Sequence, residues 1–561
     1  MIESADRRHL MAWSRPTLVL MFVLISGCGS DGDPMSKVDQ RYTRIMTDLA
    51  KADRDAARNI RNREARKRKV VAENARTAFF RSNTFKTAMS EAKQSTDPKV
   101  LAKVDGYRRH QLIAGSWTDE EKKEETRLLS ELDELNGVEA TWISPDGKTS
   151  IALNGGWRRA SKEADSLSET DRDALVASFI EHRMRVVGPE LQDLVKLRNQ
   201  VAKRAGFDNY WELGLASQGL TPSDVNKIIA DLTPIVAPIA KATEAKLSTQ
   251  AEVEGVENTF ANRMMLRRKL NLEKGRDEAE SFFDADLAEE RIKTAFTDMG
   301  MHTDGWQVYT GPSRYTRSGV YGFPVAPPVS VAIVMSNDRR WTMWQYEAIA
   351  HEGGHAVWWQ AIKEDAAKSP PMWEPTPPWF EGFAGFFERL AYEPGFHARY
   401  IPELPKPLRE ELAAWRARYV ANAIASGIVQ TKVEQRLYED PNNLDAICRF
   451  AASERQALTG SPPAPATEDG RVYDSALLSA ILWTYPAYSQ NYLFSAMTEA
   501  WMWEAITKTL GNPIGNPKVG PLLKTQLIQA DTDLPTALEA MHTGGRTAAL
   551  KSYLARIHLG D

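Results

Sequence analysis

The sequence predicts a mainly α-helical protein, and its residue usage and length support that prediction. Residues that favour helices are abundant, whereas regularly spaced strands separated by turn residues are nearly absent. The chain has 561 residues, 42% of them hydrophobic, so it is long enough to bury a sizeable core. Its 16 tryptophans are most simply explained by packing between helices; a substrate channel with aromatic walls is the alternative.

The charge balance argues against a nucleic-acid partner. The chain carries 71 basic and 75 acidic residues, a net charge of −4, whereas proteins that bind nucleic acid usually carry a strongly basic surface. A basic run at residues 58–69 could indicate an anionic partner. Acidic and apolar residues alternate nearby, so we interpret this run as the solvated face of a helix.

Residues 1–27 are predicted to be a signal peptide. The apolar run at residues 18–25 follows an arginine and is too short to span a bilayer as a helix. It ends on Ser26-Gly27-Cys28, which resembles the bacterial lipobox, whose cysteine is acylated and becomes the mature N-terminus. We therefore expect a tether at residues 28–36 and a lipid anchor on Cys28, in the bacterial cell envelope. An ordinary signal peptide with an incidental cysteine is the alternative, and translation could also start at Met11.

Cys28 and Cys448 are the two cysteines of the chain, and they do not make a disulfide framework. Cys448 lies in an apolar helical pattern, so we predict that it is a buried core thiol. An exported chain without a disulfide must be stabilised by burial of its core, which this length permits.

Residues 37–561 are expected to form one helical domain. A long charged helix is predicted at residues 37–92, and the turn residues at 142–157 predict a hairpin or loop. One helix should end at Gly206, and another should begin after Thr221. Further helices are predicted at residues 119–135, 168–185, 224–300, 406–426 and 432–459.

Residues 327–335, with the sequence PPVSVAIVM, are the best strand candidate. Proline cannot donate a hydrogen bond to a neighbouring strand, so the two prolines predict an edge of a small β-ribbon. An edge strand could hold an extended peptide by backbone hydrogen bonds; a purely structural ribbon is the alternative.

The helix predicted at residues 340–363 contains His351-Glu352-Gly353-Gly354-His355. Positions i and i+4 share one face of a helix, so His351 and His355 can bind a single metal ion. Glu352 then lies where it can take a proton from a water molecule activated by that metal.

The two adjacent glycines of this motif, Gly353 and Gly354, each cost about 1 kcal/mol relative to alanine inside a helix. A helix that contains both is expected to need close approach by another part of the chain. Flanking tryptophans should help to bury the site, so we expect it to lie deep. They are Trp341, Trp344, Trp358 and Trp359.

A catalytic zinc site needs a third protein ligand and leaves its fourth position for water. A second helix is predicted after the proline-rich turn at residues 374–378, and Glu381 and Glu388 share one face of it. The surrounding segment is largely apolar, so we predict Glu381 as the third ligand and Glu388 as a carboxylate that supports the site from behind. The alternative is that both face solvent and pair with Arg389 or Arg399.

An HExxH helix followed by a second helix with the pattern EG..GF.E resembles the glutamate-zincin metallopeptidases. Within them, the chain most resembles the angiotensin-converting-enzyme-like peptidyl dipeptidases, with the thimet-oligopeptidase-like relatives second. Residues 197–210 are similar to a stretch common in helical zinc oligopeptidases, and residues 519–523, 533–539 and 542–544 to the closing segment of the first family. The resemblance implies a two-lobed, almost wholly helical molecule with Zn²⁺ in a deep central channel.

The chain departs from that family in the segment that stabilises the tetrahedral intermediate. Family members carry a histidine shortly before a tyrosine there, whereas this chain has no histidine at residues 398–541. The tyrosines are retained, and Tyr492 matches the family's tyrosine best, with Tyr485 and Tyr488 as less close matches. Gln490 and Asn491 occupy the neighbourhood of the family's chloride-binding arginine, and the spacing of the ligands is slightly longer than usual.

Together these features predict a lipid-anchored zinc peptidase that hydrolyses short peptides. Zn²⁺ would be held by His351, His355 and Glu381, Glu352 would act as the general base, and the resemblance assigns the oxyanion to Tyr492. The competing prediction is a degenerate peptidase scaffold that binds zinc and a ligand without cleaving it, which the missing histidine favours. A purely structural zinc site is disfavoured, because such sites prefer four closed cysteine or histidine ligands.

Overall fold

A computed structural model of the chain describes residues 35–136, 141–152, 167–270, 274–312, 315–316, 320–326, 330–336, 342–362, 376–464, 466–467, 470–471, 474–528 and 546–557. Helices account for 74% of these residues, which confirms the predicted mainly α fold. The predicted signal peptide and Cys28 lie outside the described residues, as do Trp341 and residues 533–544. Within the described ranges, no helix combines the length and the apolar character needed to cross a membrane.

The secondary structure begins with helices and places its larger sheet in the middle of the chain. The helices are α1 (Ser36–Arg58), α2 (Arg63–Arg81), α3 (Asn83–Ala92), α4 (Pro98–Ala114), α5 (Asp119–Asn136), α6 (Glu169–Arg204), α7 (Tyr210–Ser217), α8 (Pro222–Glu254), α9 (Arg263–Lys269), α10 (Lys274–Ala279), α11 (Ala288–Asp298), α12 (Met343–Ala361), α13 (Pro377–Glu388), α14 (Pro394–Tyr400), α15 (Lys406–Glu439), α16 (Leu444–Thr459), α17 (Ile481–Thr484), α18 (Ser489–Leu510), α19 (Val519–Leu523) and α20 (Arg546–Leu554). The strands are β1 (Thr141–Ile143), β2 (Ser150–Ala152), β3 (Trp306–Gly311), β4 (Val320–Ala326) and β5 (Ser330–Ser336).

Local capping residues divide the N-terminal region more finely than predicted. The helix expected at residues 37–92 is three helices, because Asn62 and Ser82 each accept a hydrogen bond from a backbone N–H three residues ahead. The helix expected at residues 168–185 instead continues to Arg204. Charge pattern alone does not reveal either boundary.

Other helix ends follow the sequence signals closely. Gly206, just beyond α6, has a φ of +89°, a left-handed conformation that suits glycine at a helix end. Thr221 and Asp224 form a reciprocal capping box at the start of α8, as the sequence predicted. The helix expected at residues 406–426 continues to Glu439, and α16 then begins at Leu444.

The strand predicted at residues 327–335 is β5, but its predicted edge position is wrong. β5 is the central strand of the order β3-β5-β4, parallel to β3 and antiparallel to β4. The physical reason is that β5 begins at Ser330, so the two prolines precede it and leave both of its hydrogen-bonding edges intact. Pro324 lies within β4, which is an edge of this sheet. The hairpin expected at residues 142–157 contains β1 and β2, which pair antiparallel.

The three-stranded sheet lies between α1 and α12. Alternate side chains of a strand point to opposite faces. Ala332 and Val334 pack on one face with Ala57 of α1, whereas Val331 and Ile333 join the main core, which includes α12. The sheet therefore covers the helix that contains the HEGGH motif, and α1 covers the sheet.

Glycines allow α13 to pack closely against helices on both sides. A Cβ atom added to Gly354 of α12 would lie 2.7 Å from the Cα atom of Ala384 in α13. One added to Gly382 of α13 would lie 2.5 Å from a Cβ atom of α18, and one added to Gly353 would lie 2.7 Å from the Trp306 ring. A residue with a side chain does not fit at such contacts. The prediction that the paired glycines of the motif mark a close approach is confirmed.

Candidate metal centre

The side chains of His351, His355 and Glu381 converge. One ligand atom from each lies within 4.8 Å of the others, and the group could hold a metal ion. The two histidines lie one turn apart on α12, and Glu381 comes from α13, which the contact at Gly354 brings against α12. The tryptophans predicted to bury the site are themselves buried: Trp344, Trp358 and Trp359.

His355 and Glu381 have the protonation states that a metal ligand needs. Burial lowers the pKa of His355 to about 3, and the positive charge of His351 acts in the same direction. Its buried Nδ1 has no hydrogen-bond partner among the described residues. Burial alone would raise the pKa of Glu381, but the hydrogen bond from His351 and the nearby positive charges outweigh it and lower the pKa to about 2. A neutral imidazole and an ionised carboxylate are both ready to coordinate a metal.

His351 lies between two carboxylates. Its Nε2 is 3.4 Å from Oε2 of Glu381, and its Nδ1 is 2.8 Å from Oε2 of Glu388. Burial alone would lower the pKa of His351, but the hydrogen bonds to Glu381 and Glu388 outweigh it and raise the pKa well above its usual value. In the metal-free protein both ring nitrogens of His351 therefore carry a proton. A metal ion must displace the proton from the nitrogen that it binds.

Glu388, the last residue of α13, contacts His351 from the side opposite Glu381. A ligand histidine commonly gives its second ring N–H to a carboxylate, which fixes the orientation of the ring. The alternative pairing with Arg389 or Arg399 is not what the structure shows. Those two arginines pair with other carboxylates, at 2.6 and 2.8 Å.

Arg416, Glu347 and Tyr392 complete the surroundings of Glu388, and nothing in the sequence pattern pointed to them. Arg416 of α15 donates to Oε1 of Glu388 and lies 3.6 Å from Oε1 of Glu347. The other oxygen of Glu347, Oε2, accepts a hydrogen bond from the hydroxyl of Tyr392. Burial alone would raise the pKa of Glu388, but the charges of Arg416 and His351 outweigh it and lower the pKa. Burial and the charge of Glu388 raise the pKa of Glu347. One buried guanidinium thus balances the carboxylates behind the centre.

Glu352 is buried and faces β4. A Cβ atom added to Gly322 of β4 would lie 2.7 Å from Oε2 of Glu352, so a residue with a side chain would displace the carboxylate. Burial raises the pKa of Glu352 to about 7, against the positive charge of His351 and a backbone hydrogen bond from Gly322. A carboxyl group with a pKa near neutrality can both accept and return a proton.

The three tyrosines predicted near the site lie together at the start of α18. The hydroxyl of Tyr488 donates to Oε1 of Glu381 over 2.5 Å. The ring of Tyr492 is 5.7 Å from that of Tyr488, and Tyr492 is 47% exposed. The ring of Tyr485 is 5.6 Å from Tyr488 on its other side. The oxyanion role of Tyr492 stays a prediction, and Tyr488 is the tyrosine that contacts a candidate ligand.

Buried polar groups hold the loop that precedes Tyr488. Ala487 has a φ of +54°, which is unfavourable for alanine because its Cβ crowds the following carbonyl. Glu434 accepts a hydrogen bond from the backbone N–H of Ala487 at 2.6 Å, and the side chain of Gln218 donates to its carbonyl oxygen at 2.7 Å. Strain of this kind persists where the surroundings enforce it. These hydrogen bonds to the backbone of Ala487 thus fix the position of Tyr488, the next residue.

His397 and Cys448 are not part of the centre. Nε2 of His397 lies 2.8 Å from a backbone carbonyl oxygen, and burial lowers the pKa of this histidine to about 4. Cys448 is a free, buried thiol, which confirms the prediction, and burial raises its pKa to about 12.

The donor set of the candidate centre consists of the two imidazoles and one carboxylate of His351, His355 and Glu381. This set fits a catalytic zinc site with an open fourth position.

A scan against protein-family models finds no match for the chain, and a search of curated proteins finds none either. The function is therefore inferred from the residues and their geometry.

Binding of Zn²⁺ is expected to release at least one proton near neutral pH, because protons compete with the metal for its ligands and the metal's charge also disfavours the proton on the neighbouring Glu352. His351 must lose one proton, whereas His355 is already neutral and Glu381 already ionised. Affinity should therefore rise with pH until His351 is deprotonated. Calorimetric titration of the chelator-treated protein in buffers with different ionisation enthalpies measures this proton count.

In the same titration, Glu388→Gln should release fewer protons, because it removes one of the two carboxylates that hold the charge on His351. Metal binding by the parent protein without any proton release would contradict the charge states described above.

Gly214→Ala is expected to displace the loop before Tyr488. An added Cβ atom would lie 2.4 Å from the Cβ atom of Ala487, and overpacking of this kind typically costs about 1–3 kcal/mol. We expect a lower melting temperature, with metal content unchanged. Ala487→Gly removes the clashing methyl group and suits the positive φ, so the double variant should recover the parent's melting temperature. Thermal melts of all three variants measure this, and a double variant no more stable than Gly214→Ala would disprove the contact.

Proposed function

We propose that the protein is a zinc-dependent peptidase that hydrolyses short peptides. The observation that carries the proposal is the convergence of His351, His355 and Glu381 within 4.8 Å, next to a buried Glu352. Two imidazoles and one carboxylate are typical ligands of catalytic zinc. Structural zinc sites favour four cysteine or histidine ligands, so this donor set favours catalysis.

The residues around the centre can perform the proton transfers of peptide hydrolysis. A bound zinc ion would polarise the scissile carbonyl group and favour ionisation of the attacking water. Glu352 would accept the proton of that water and pass it to the nitrogen of the leaving amine. Its pKa of about 7 in the metal-free protein suits both transfers. Glu388, itself held by Arg416, would keep the ring of His351 in one orientation.

A tyrosine hydroxyl would stabilise the negative oxygen of the tetrahedral intermediate. Tyr492 matches the family's tyrosine best, and Tyr488 donates to a candidate ligand at 2.5 Å. Burial and the charge of Glu381 raise the pKa of Tyr488, so its phenol stays protonated and able to donate. Such a donor is typically worth about 2–4 kcal/mol in the transition state.

The edge of β4 is the candidate surface for an extended peptide. Among the described strands β4 pairs with β5 alone, and Gly322 brings its backbone against Glu352. A peptide added to the free edge by backbone hydrogen bonds would run past the general base. We include in the proposal two lobes around a deep central channel, which would admit short peptides and exclude folded proteins.

The second candidate function is a scaffold that binds zinc and a peptide without cleaving it. The observation that favours it is the absence of a histidine at residues 398–541, where the resembling family has one. The burial of Glu352 beside the metal ligands, with a pKa near neutrality, favours catalysis instead.

Lipid anchoring outside the cytoplasm also belongs to the proposal. Its support is the apolar run at residues 18–25 and the Ser26-Gly27-Cys28 sequence that follows it. Acylation of Cys28 would attach the enzyme to a membrane of the bacterial cell envelope.

Glu352→Gln should slow turnover by about 10²–10⁴-fold, because the amide cannot accept the proton of the attacking water. Zinc content should stay near one ion per chain, since the three ligands are untouched. Elemental analysis and an assay with a mixed peptide library, with and without chelator, measure both quantities. Glu290→Gln, an exposed change on α11, serves as the control.

Full activity of Glu352→Gln would refute the mechanism. Zinc binding by the parent protein without cleavage of any peptide in the library would favour the scaffold function. Where cleavage occurs, the product lengths distinguish release of dipeptides from internal cleavage.

Cys28→Ser should abolish lipid labelling and move the protein from the membrane fraction to the soluble fraction. Cells grown with labelled palmitate, followed by fractionation, provide the measurement. Cys448→Ser should behave like the parent, because Cys448 is buried in the core. Continued labelling of Cys28→Ser would show that another residue carries the anchor.

A further inference from the structure

A cavity whose lining includes none of the candidate metal ligands lies where the N-terminal helices meet the start of α13. It has a volume of about 240 Å³. Its basic lining comes from Arg76 of α2 and from Arg109 and His110 of α4, and Thr376 and Pro377 close it at the N-terminal end of α13. No acidic side chain lines this cavity among the described residues.

Arg76 is the least satisfied of these cations. Its Nε is buried and has no hydrogen-bond partner among the described residues, which also offer its guanidinium no salt bridge, although the side chain as a whole is half-buried. A charged donor buried without an acceptor is unfavourable, and proteins normally pair it. An acceptor supplied from outside the chain would remove this deficit.

Arg109 adds a second guanidinium to the same wall. Its ion pair with Asp105 joins Nη1 to Oδ2 at 3.4 Å on the solvent side of α4, where Asp105 is 62% exposed. A planar guanidinium has five N–H donors, so one such contact leaves most of them for a ligand.

The start of α13 adds attraction for an anion, but its first two residues add no backbone N–H donors. The N-terminus of a helix favours negative charge. Here, however, the first two residues are Pro377 and Pro378, which have no N–H to offer. The charged hydrogen bonds must therefore come from the arginines, which suit the planar fork of a carboxylate or the oxygens of a phosphate.

We propose that this cavity is a binding site for a small anion with a carboxylate or phosphate group. Its remaining walls include apolar side chains such as Phe80 and Ile113, so the anionic group can carry a short apolar part. The cavity and its arginines do not include the metal ligands, so binding requires neither zinc nor turnover.

The test is calorimetric titration of the full-length protein with inorganic phosphate and, separately, with N-acetyl-L-leucine, at constant ionic strength. We expect saturable binding of at least one probe, and the tighter of the two identifies the class of anion. Arg76→Gln and Arg109→Gln should each weaken binding by about tenfold or more. Arg108→Gln, an exposed change beside Arg109 on the same helix, should leave it unchanged.

Melting curves without ligand keep these outcomes interpretable. Arg76→Gln should melt at or above the parent's temperature, because it removes a donor, Nε, that is buried without a partner among the described residues. If this variant fails to fold, Arg109→Gln alone decides. Binding should persist after treatment with a chelator. The proposal would be overturned if no probe bound saturably, or if the parent and its three variants all bound equally well. Loss of binding on chelation would also overturn it, because it would locate the anion at the metal centre.

Discussion

The candidate centre depends on the close packing of α12 against α13 at Gly354. Two donors on one helix have a fixed spacing, but the third must come from another helix at the right separation. The backbone of α13 lies where a side chain at residue 354 would be, and this approach brings Glu381 to His351. Gly382 permits a similar approach of α18, which brings Tyr488 to the other oxygen of Glu381. The glycines that weaken these helices thus bring three segments together.

Charge compensation is the second condition on this arrangement. Glu347, Glu381 and Glu388 are carboxylates in a poorly solvated region, where ions are tolerated when they are paired. Arg416 supplies one positive charge, and the proton on His351 supplies another. A metal ion that replaces this proton also leaves positive charge between Glu381 and Glu388. The same surroundings therefore suit the metal-free and the metal-bound protein.

The parts of the centre that the sequence predicted are those set within a single helix. The spacing of His351 and His355, and the helix that presents Glu381 and Glu388, follow from helical geometry. Contacts between segments that are distant in sequence leave no local sequence pattern. For this reason the contact of Arg416 with Glu388 was not predicted. The place of β5 in its sheet likewise depends on pairing with β3 and β4, and the prolines before it mark where the strand begins.

Helix α1 covers the sheet, and its length also separates the start of the described chain from that sheet. It begins at Ser36, and Ala57 near its other end packs on the sheet whose edge lies against Glu352. A helix rises about 1.5 Å per residue, so these two points are roughly 30 Å apart. For a chain attached to lipid at Cys28, α1 would act as a rigid spacer that allows the sheet to stand clear of the bilayer surface. With the proposed peptidase activity, such a molecule would act on peptides dissolved in the aqueous layer above the membrane.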